Sequence, residues 1–338
     1  MKKSLVLVPL LALTAFAFGV VNVNAQTQAF SDKVGYYTFD VEPSSNLIVS
    51  GLVTKKEFQG TIEAPTAGGS VTTITLSSGS LTAGALDENG DVPCAYVELT
   101  EAGASQGLVV DIKSNTATTV TLHMTDAQAS AAGLSVDDSI CIRKHVTLGS
   151  LFESAQTGTP PNVLAPGQDF IAMFDESGNQ ILFKLVSIGG TDVQWQTFAG
   201  SVDADDTVVY PGQGFVFVAS VAKSLRIGGE SVSHVKDTAT RVPVFGAGIN
   251  LTGQINPLNG SSSTVDATNL AAGGGLNNGD IIVTYDNDGS SFSQTGAYQV
   301  SGGNFNAIFG PGTIDFTESF VVVPSGGTDV SILLPPGF

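Results

Sequence analysis

Short runs of aromatic and β-branched residues, closed by glycine, proline, serine, asparagine or aspartate, recur along most of the chain. Such runs predict strands joined by tight turns, because branched and aromatic side chains suit a pleated surface while turns need residues tolerant of unusual backbone angles. The fullest run is 210–220, Tyr-Pro-Gly-Gln-Gly-Phe-Val-Phe-Val-Ala-Ser, and a variant, Thr-Glu-Ser-Phe-Val-Val-Val-Pro-Ser, returns at 317–325. Upstream of these lie Phe-Ile-Ala-Met-Phe-Asp-Glu-Ser-Gly at 170–178 and Asp-Ile-Ile-Val-Thr-Tyr-Asp-Asn-Asp-Gly at 280–289. Gly-Gly turns separate strands at 189–190 and 302–303. A unit of roughly 60–75 residues is therefore written twice, with strand, Asp/Gly hairpin, Gly-Gly turn and final strand in one order. A fainter likeness between 46–53 and 248–257 implies that the first copy begins near residue 35 and is interrupted.

The interruption holds six further strand signals, at 58–62, 70–76, 95–99, 107–112, 118–122 and 139–143, with one helical turn near 126–132. Short strands at this density predict a small barrel or compact sandwich. No segment keeps a helical period over several turns. The expected fold is all-β: a β-sandwich-like body built from two related halves, with a small β-barrel-like module near the N-terminus. The expected divisions are a signal peptide at 1–25, N-terminal strands of the body at 26–57, the barrel module at 58–144, the first β-unit at 145–223, and a connector plus second unit at 224–338.

The first 25 residues change the picture most. Lys2 and Lys3, an apolar stretch from Leu5 to Val21 and the small-residue exit Val23-Asn24-Ala25 have the layout of a secretory leader. The chain is expected to be exported to the periplasm, cell surface or medium, with no transmembrane segment in its mature part. Its formal charge is −18, and two units more negative without Lys2 and Lys3. Nucleic acid and anionic lipid, which need basic footprints, are poor partners for such a chain.

Three groups of residues carry candidate chemistry. Asp203, Asp205 and Asp206, with Asp286 and Asp288, are the oxygen donors that suit Ca²⁺, the one ion expected; hairpin turns explain the same residues. Trp195 and Phe198, with Tyr298, offer a sugar-stacking surface, or else belong to the core. Cys94 and Cys141 form an even pair in an exported chain and invite a disulfide, with two buried thiols as the alternative. No nucleophile elbow is present, and His123, His145 and His234 show no metal-ligand spacing. No catalytic residue or cofactor is expected.

The stretches 146–152, 211–218 and 248–253 resemble an uncharacterised family of exported β-rich bacterial proteins, a paralogous family of verrucomicrobial type. That resemblance implies an exported strand-rich protein and supplies no catalytic residues. The expected role is non-enzymatic: a structural or surface-associated adhesion protein whose partner is itself or an extracellular polymer. The alternatives are a carbohydrate-binding or polysaccharide-processing accessory protein and, third, a carboxylate-dependent hydrolase.

Overall fold

A computed structural model describes residues 34–334 except 42, 44, 50–51, 64, 68–70, 101–105, 152–163, 165, 176, 190–191, 232–239, 245–247, 253–263, 266–275, 288–291, 303, 311–313, 316–319 and 327–329. The expected leader at 1–25, Asp288 and His234 lie outside the described residues. The described chain is all-β, with antiparallel pairing throughout.

In chain order, β1 (Val34–Val41), β2 (Ser45–Val49) and β3 (Leu52–Val53) come first. The inserted module follows: β4 (Lys56–Thr61), β5 (Thr66–Ala67), β6 (Thr72–Thr75), β7 (Ala95–Leu99), β8 (Val109–Asn115), β9 (Thr119–Leu122), α1 (Asp126–Ala131) and β10 (Ser139–Lys144). The first half resumes with β11 (Val146–Thr147), α2 (Leu148–Leu151), β12 (Phe170–Phe174), β13 (Gln180–Gly189), β14 (Asp192–Thr197), β15 (Val208–Val209), β16 (Gly214–Val218) and β17 (Lys223–Ser231). The second half comprises β18 (Thr240–Val244), β19 (Asn250–Thr252), β20 (Thr264–Val265), β21 (Ile281–Asn287), β22 (Phe292–Ser301), β23 (Asn304–Phe309), β24 (Ile314–Asp315), β25 (Phe320–Val323) and β26 (Val330–Leu334).

The module is one seven-stranded sheet, β4-β10-β7-β8-β9-β6-β5. It curls until the end of β4 meets the end of β6: Ile62 bridges Leu76, Glu63 N–H donates to the Thr75 carbonyl at 2.8 Å, and Ser77 N–H to that of Thr61 at 3.0 Å. Curling turns alternate residues inward. Ile62, Ile74, Val97, Ile112, Val120, Ile140 and Ile142 fill the interior, and helix α1 is held by a Thr125–Gln128 capping box.

The halves share connectivity strand for strand. The first sheet is β14-β13-β12-β16-β2 and the second, read the same way, is β23-β22-β21-β25-β19. Registers match too: Phe170 faces Val218 as Ile281 faces Val323, and Phe217 faces Asn46 as Val322 faces Asn250. Two small flanking pairs recur, β11–β15 against β20–β24 and β1–β17 against β18–β26. The equivalent strands β12 and β21 each follow a fully buried aspartate. Asp169 accepts from Ser220 N–H and Oγ, both at 3.2 Å, and from Lys223 Nζ at 2.5 Å. Asp280 accepts from Ser325 N–H at 2.7 Å, Ser325 Oγ at 2.9 Å and Asn277 N–H at 2.7 Å. A carboxylate so placed satisfies backbone donors where the strands β16 and β25 end, at a depth where unmet donors are costly.

The two sheets pack face to face. Phe174 and Val216 of the first meet Leu251, Val283, Ala297 and Val321 of the second. The opposite face of the first sheet is covered as well: Ile171, Met173, Phe183, Leu185, Trp195, Phe215 and Phe217 lie under Leu225 and Ile227 of β17 and Leu148 and Leu151 of α2. A sheet buried on both faces needs apolar side chains at successive positions, which is why 214–218 reads as one continuous run.

Candidate functional site

Two features meet at Tyr210: a polar seam between module and body, and a cavity in the first half. On β7 and β10 the residues that alternate with the barrel interior point outward, yet Tyr96, Glu98, Cys141, Arg143 and His145 are all buried. Burial makes their polar atoms find partners within the protein. The Arg143 guanidinium donates to the Thr54 carbonyl and has Nε 4.0 Å from Glu98 Oε2. Asp111 of β8 accepts from the Tyr210 hydroxyl at 2.9 Å, and its other oxygen lies 2.9 Å from His145 Nε2. The imidazole sits between two rings, with centroids 4.9 Å from Tyr96 and 5.1 Å from Tyr210. His145 Nδ1 is buried with no hydrogen-bond partner among the described residues. This seam ties Tyr210, a residue of the body, to the module.

Tyr210 also walls a cavity of about 420 Å³ at the hairpin end of β12 and β13. Met173, Phe174, Ile181, Phe183 and Val208 supply its apolar surface, and Asp175, Ser177, Thr207, Gln213 and Tyr210 its polar groups. Asp175 shapes the hairpin: Oδ1 accepts from Ser177 N–H at 2.9 Å and Asn179 N–H at 2.7 Å, and Oδ2 from Asn179 Nδ2 at 3.2 Å. The Asn179 backbone bond, above all, holds its carboxyl below the ordinary aspartate value, with the Asn179 side chain and the Ser177 amide adding to it against a smaller cost of burial. Sequence pattern singled out neither this cavity nor the seam. Tyr210 opens the longest strand signal, and nothing in the sequence connects it with Asp111.

The aromatic surface expected from Trp195, Phe198 and Tyr298 is not formed. Trp195 and Tyr298 are fully buried, Trp195 inside the core of the first half. Both occupy the sheet face turned inward, a choice that alternation alone leaves open. Phe198 is exposed, its ring centroid 5.8 Å from Phe170 and 5.6 Å from the Lys184 ammonium.

The expected Cys94–Cys141 bridge is likewise corrected: no disulfide joins them. In the β7–β10 pair Cys141 faces Glu98, while Cys94 lies at the far end, its carbonyl accepting from His145 N–H at 2.9 Å. Four strand steps, roughly 13 Å at about 3.4 Å per residue, divide the two, well past the roughly 7 Å a disulfide spans.

The acidic turn 203–206 is a structural joint. Asp203 Oδ1 accepts from Asp205 N–H at 3.0 Å, and Asp205 Oδ1 from Trp195 N–H at 2.8 Å. Burial pushes the Asp205 carboxyl up, against the Trp195 hydrogen bond and reinforced by repulsion from Asp203 and Asp206. Asp286 lies on β21, and its side chain is outside the described residues. Among the described residues no three His, Cys, Asp or Glu side chains converge as a metal site. His123 Nε2 is 2.7 Å from Glu88 Oε2 at the surface. No helix among the described residues is long and apolar enough to cross a membrane. Compared with known protein families, with curated proteins and with solved structures, the chain matches none.

Proposed function

We propose that the protein is an exported, non-enzymatic structural or surface-associated β-protein that works by adhesion, with further copies of itself as the partner. The observation that carries this reading is the outer part of the first sheet. Leu182, Ile188, Phe198 and Val202, all on or beside β13 and β14, are exposed, whereas the inner strands of the same sheet are covered on both faces. Exposed apolar side chains at the margin of a sheet, here Leu182 and Phe198 joined through the Phe198 N–H to Leu182 carbonyl bond, favour association. Lys184, lying over Phe198, gives that margin a cation within a strongly acidic chain, so one copy's acidic surface complements it. Ca²⁺ bridging between carboxylates on neighbouring copies adds to the contact. The carbohydrate-binding alternative rested on Trp195 and the acidic turns; Trp195 is fully buried and gives it no support.

Sedimentation of the mature chain across a dilution series, with Ca²⁺ and then with chelator, tests the reading. Concentration-dependent assembly that chelator weakens and Phe198→Asp abolishes is expected. A strict monomer in both conditions overturns it. Turnover of a glycoside, ester or peptide that disappears on replacing one carboxylate promotes the hydrolase alternative instead.

A further inference from the structure

The cavity of about 420 Å³ beside Tyr210 falls in the size range of small-molecule sites, and its wall is divided by chemistry. Apolar side chains from β12, β13 and β15 form one part: Met173, Ile181, Phe183 and Val208. Among the described residues of the lining Asp175 is the one carboxylate, and it stands on the hairpin with Ser177. We propose that this cavity binds a small amphipathic amine, its apolar body on the half-buried Phe174, Ile181 and Val208 and its ammonium against the Asp175 carboxylate.

Three observations select a cation over an alcohol or an acid. First, the hydrogen bonds that build the hairpin hold Asp175 ionised, so its negative charge is present across the neutral range. Second, Oδ1 is occupied by two backbone amides while Oδ2 receives only the long 3.2 Å bond from Asn179, which leaves Oδ2 as the oxygen with capacity to accept from a ligand. Third, no Lys, Arg or His among the described residues lines the cavity to receive a carboxylate or phosphate, and the −18 chain repels anions generally. The site is also stiff. The Tyr210 hydroxyl is tied to Asp111 at 2.9 Å and its N–H donates to Gln213 Oε1 at 3.0 Å, so two wall residues are held before any ligand arrives.

The test is calorimetric titration of the whole mature protein with three ligands of one shape: tryptamine, tryptophol and indole-3-propionate. Tryptamine is expected to bind about fivefold more tightly than tryptophol, and indole-3-propionate most weakly, since an ionised partner at a partly exposed site contributes up to about fivefold. Asp175→Asn, which keeps a turn-forming amide in the hairpin, should bring tryptamine within about twofold of tryptophol and leave tryptophol unchanged. Thr207→Phe, which narrows the cavity from its polar side, should abolish all three. Equal binding of amine and alcohol to the unmodified protein, binding that survives Thr207→Phe, or no tryptamine binding at millimolar concentration overturns the proposal. The ligand series on the unmodified protein decides the matter even if a variant fails to fold. Its result is independent of whether the protein self-associates.

Discussion

Replacing Asp169 with alanine should cost far more stability than its position at a strand start suggests. The carboxylate is fully buried, lies 2.5 Å from Lys223 Nζ, and accepts twice from Ser220. The Lys223 side chain is itself only 5% exposed, so alanine would strand an ammonium in the interior. Breaking one side of such a pair costs about 3–5 kcal/mol. The two orphaned Ser220 donors bring the total to the upper part of that range. Against a total stability of about 5–15 kcal/mol this is a large fraction. Lys223→Met leaves the carboxylate with its Ser220 bonds and should cost about 2 kcal/mol, because only one partner is lost. In the double variant no charge is stranded, and its cost should fall below the sum of the two singles by about 2 kcal/mol. Urea unfolding of all four proteins, read by far-ultraviolet circular dichroism, measures each value. A loss under about 1 kcal/mol for Asp169→Ala, or strict additivity in the cycle, would refute the argument that this aspartate clamps the ends of β12 and β16.

Asp205→Asn should stabilise the protein at neutral pH and lose that advantage in acid. The folded carboxyl is raised, so the native stability it permits is fully present below the ordinary aspartate value and declines as pH rises through the folded one; melting temperatures of both proteins between about pH 3 and 7 check this, and an advantage that grows in acid would contradict it. Both cysteines should titrate as thiols without reductant, Cys94 in the native state and buried Cys141 only on unfolding, and reductant should leave the melting temperature unchanged; an intact mass short of two hydrogens would refute this. Gly248→Ala should destabilise by about 3 kcal/mol, since the residue has φ of +73° and a Cβ there would lie 2.3 Å from the Gly178 backbone; a urea midpoint equal to that of the unmodified protein would exclude the close approach.

The succession of strands along the chain was legible because each half repeats the same hairpin and final-strand signals, and these are local; how the strands are ordered within each sheet was not. The interrupted first half was legible for the same reason: the 46–53 and 248–257 segments contribute β2 and β19, the strands beside β16 and β25. What escaped is whatever depends on which face is covered. Period-two alternation places Trp195 and Tyr298 on definite faces without saying which face meets another layer. On β10 the same ambiguity runs the other way. Cys141 and Arg143, with His145 just past the strand, alternate with Ile140 and Ile142, as residues on a solvated face do, yet all three are buried, Arg143 against Thr54 and His145 against Tyr210. The cysteine pairing failed because register, a property of two strands together, set the distance. The cavity escaped because its wall is assembled from β12, β13, β15 and the turn before β16, which adjoin only after folding.

The inserted module leaves the body through β4 and returns through β10, and those strands are direct neighbours, with Lys56 opposite Arg143. Entry and exit therefore stand side by side, and the host sees the whole barrel as if it were a single wide turn. The second half makes the equivalent journey, from Thr252 to Thr264, without such a passenger. Because the ends already meet, lengthening or exchanging what lies between them adds little closure entropy to the sandwich. The body thus has a socket: the barrel occupies one connection with its two ends already side by side, and in the second half eleven residues separate β19 from β20.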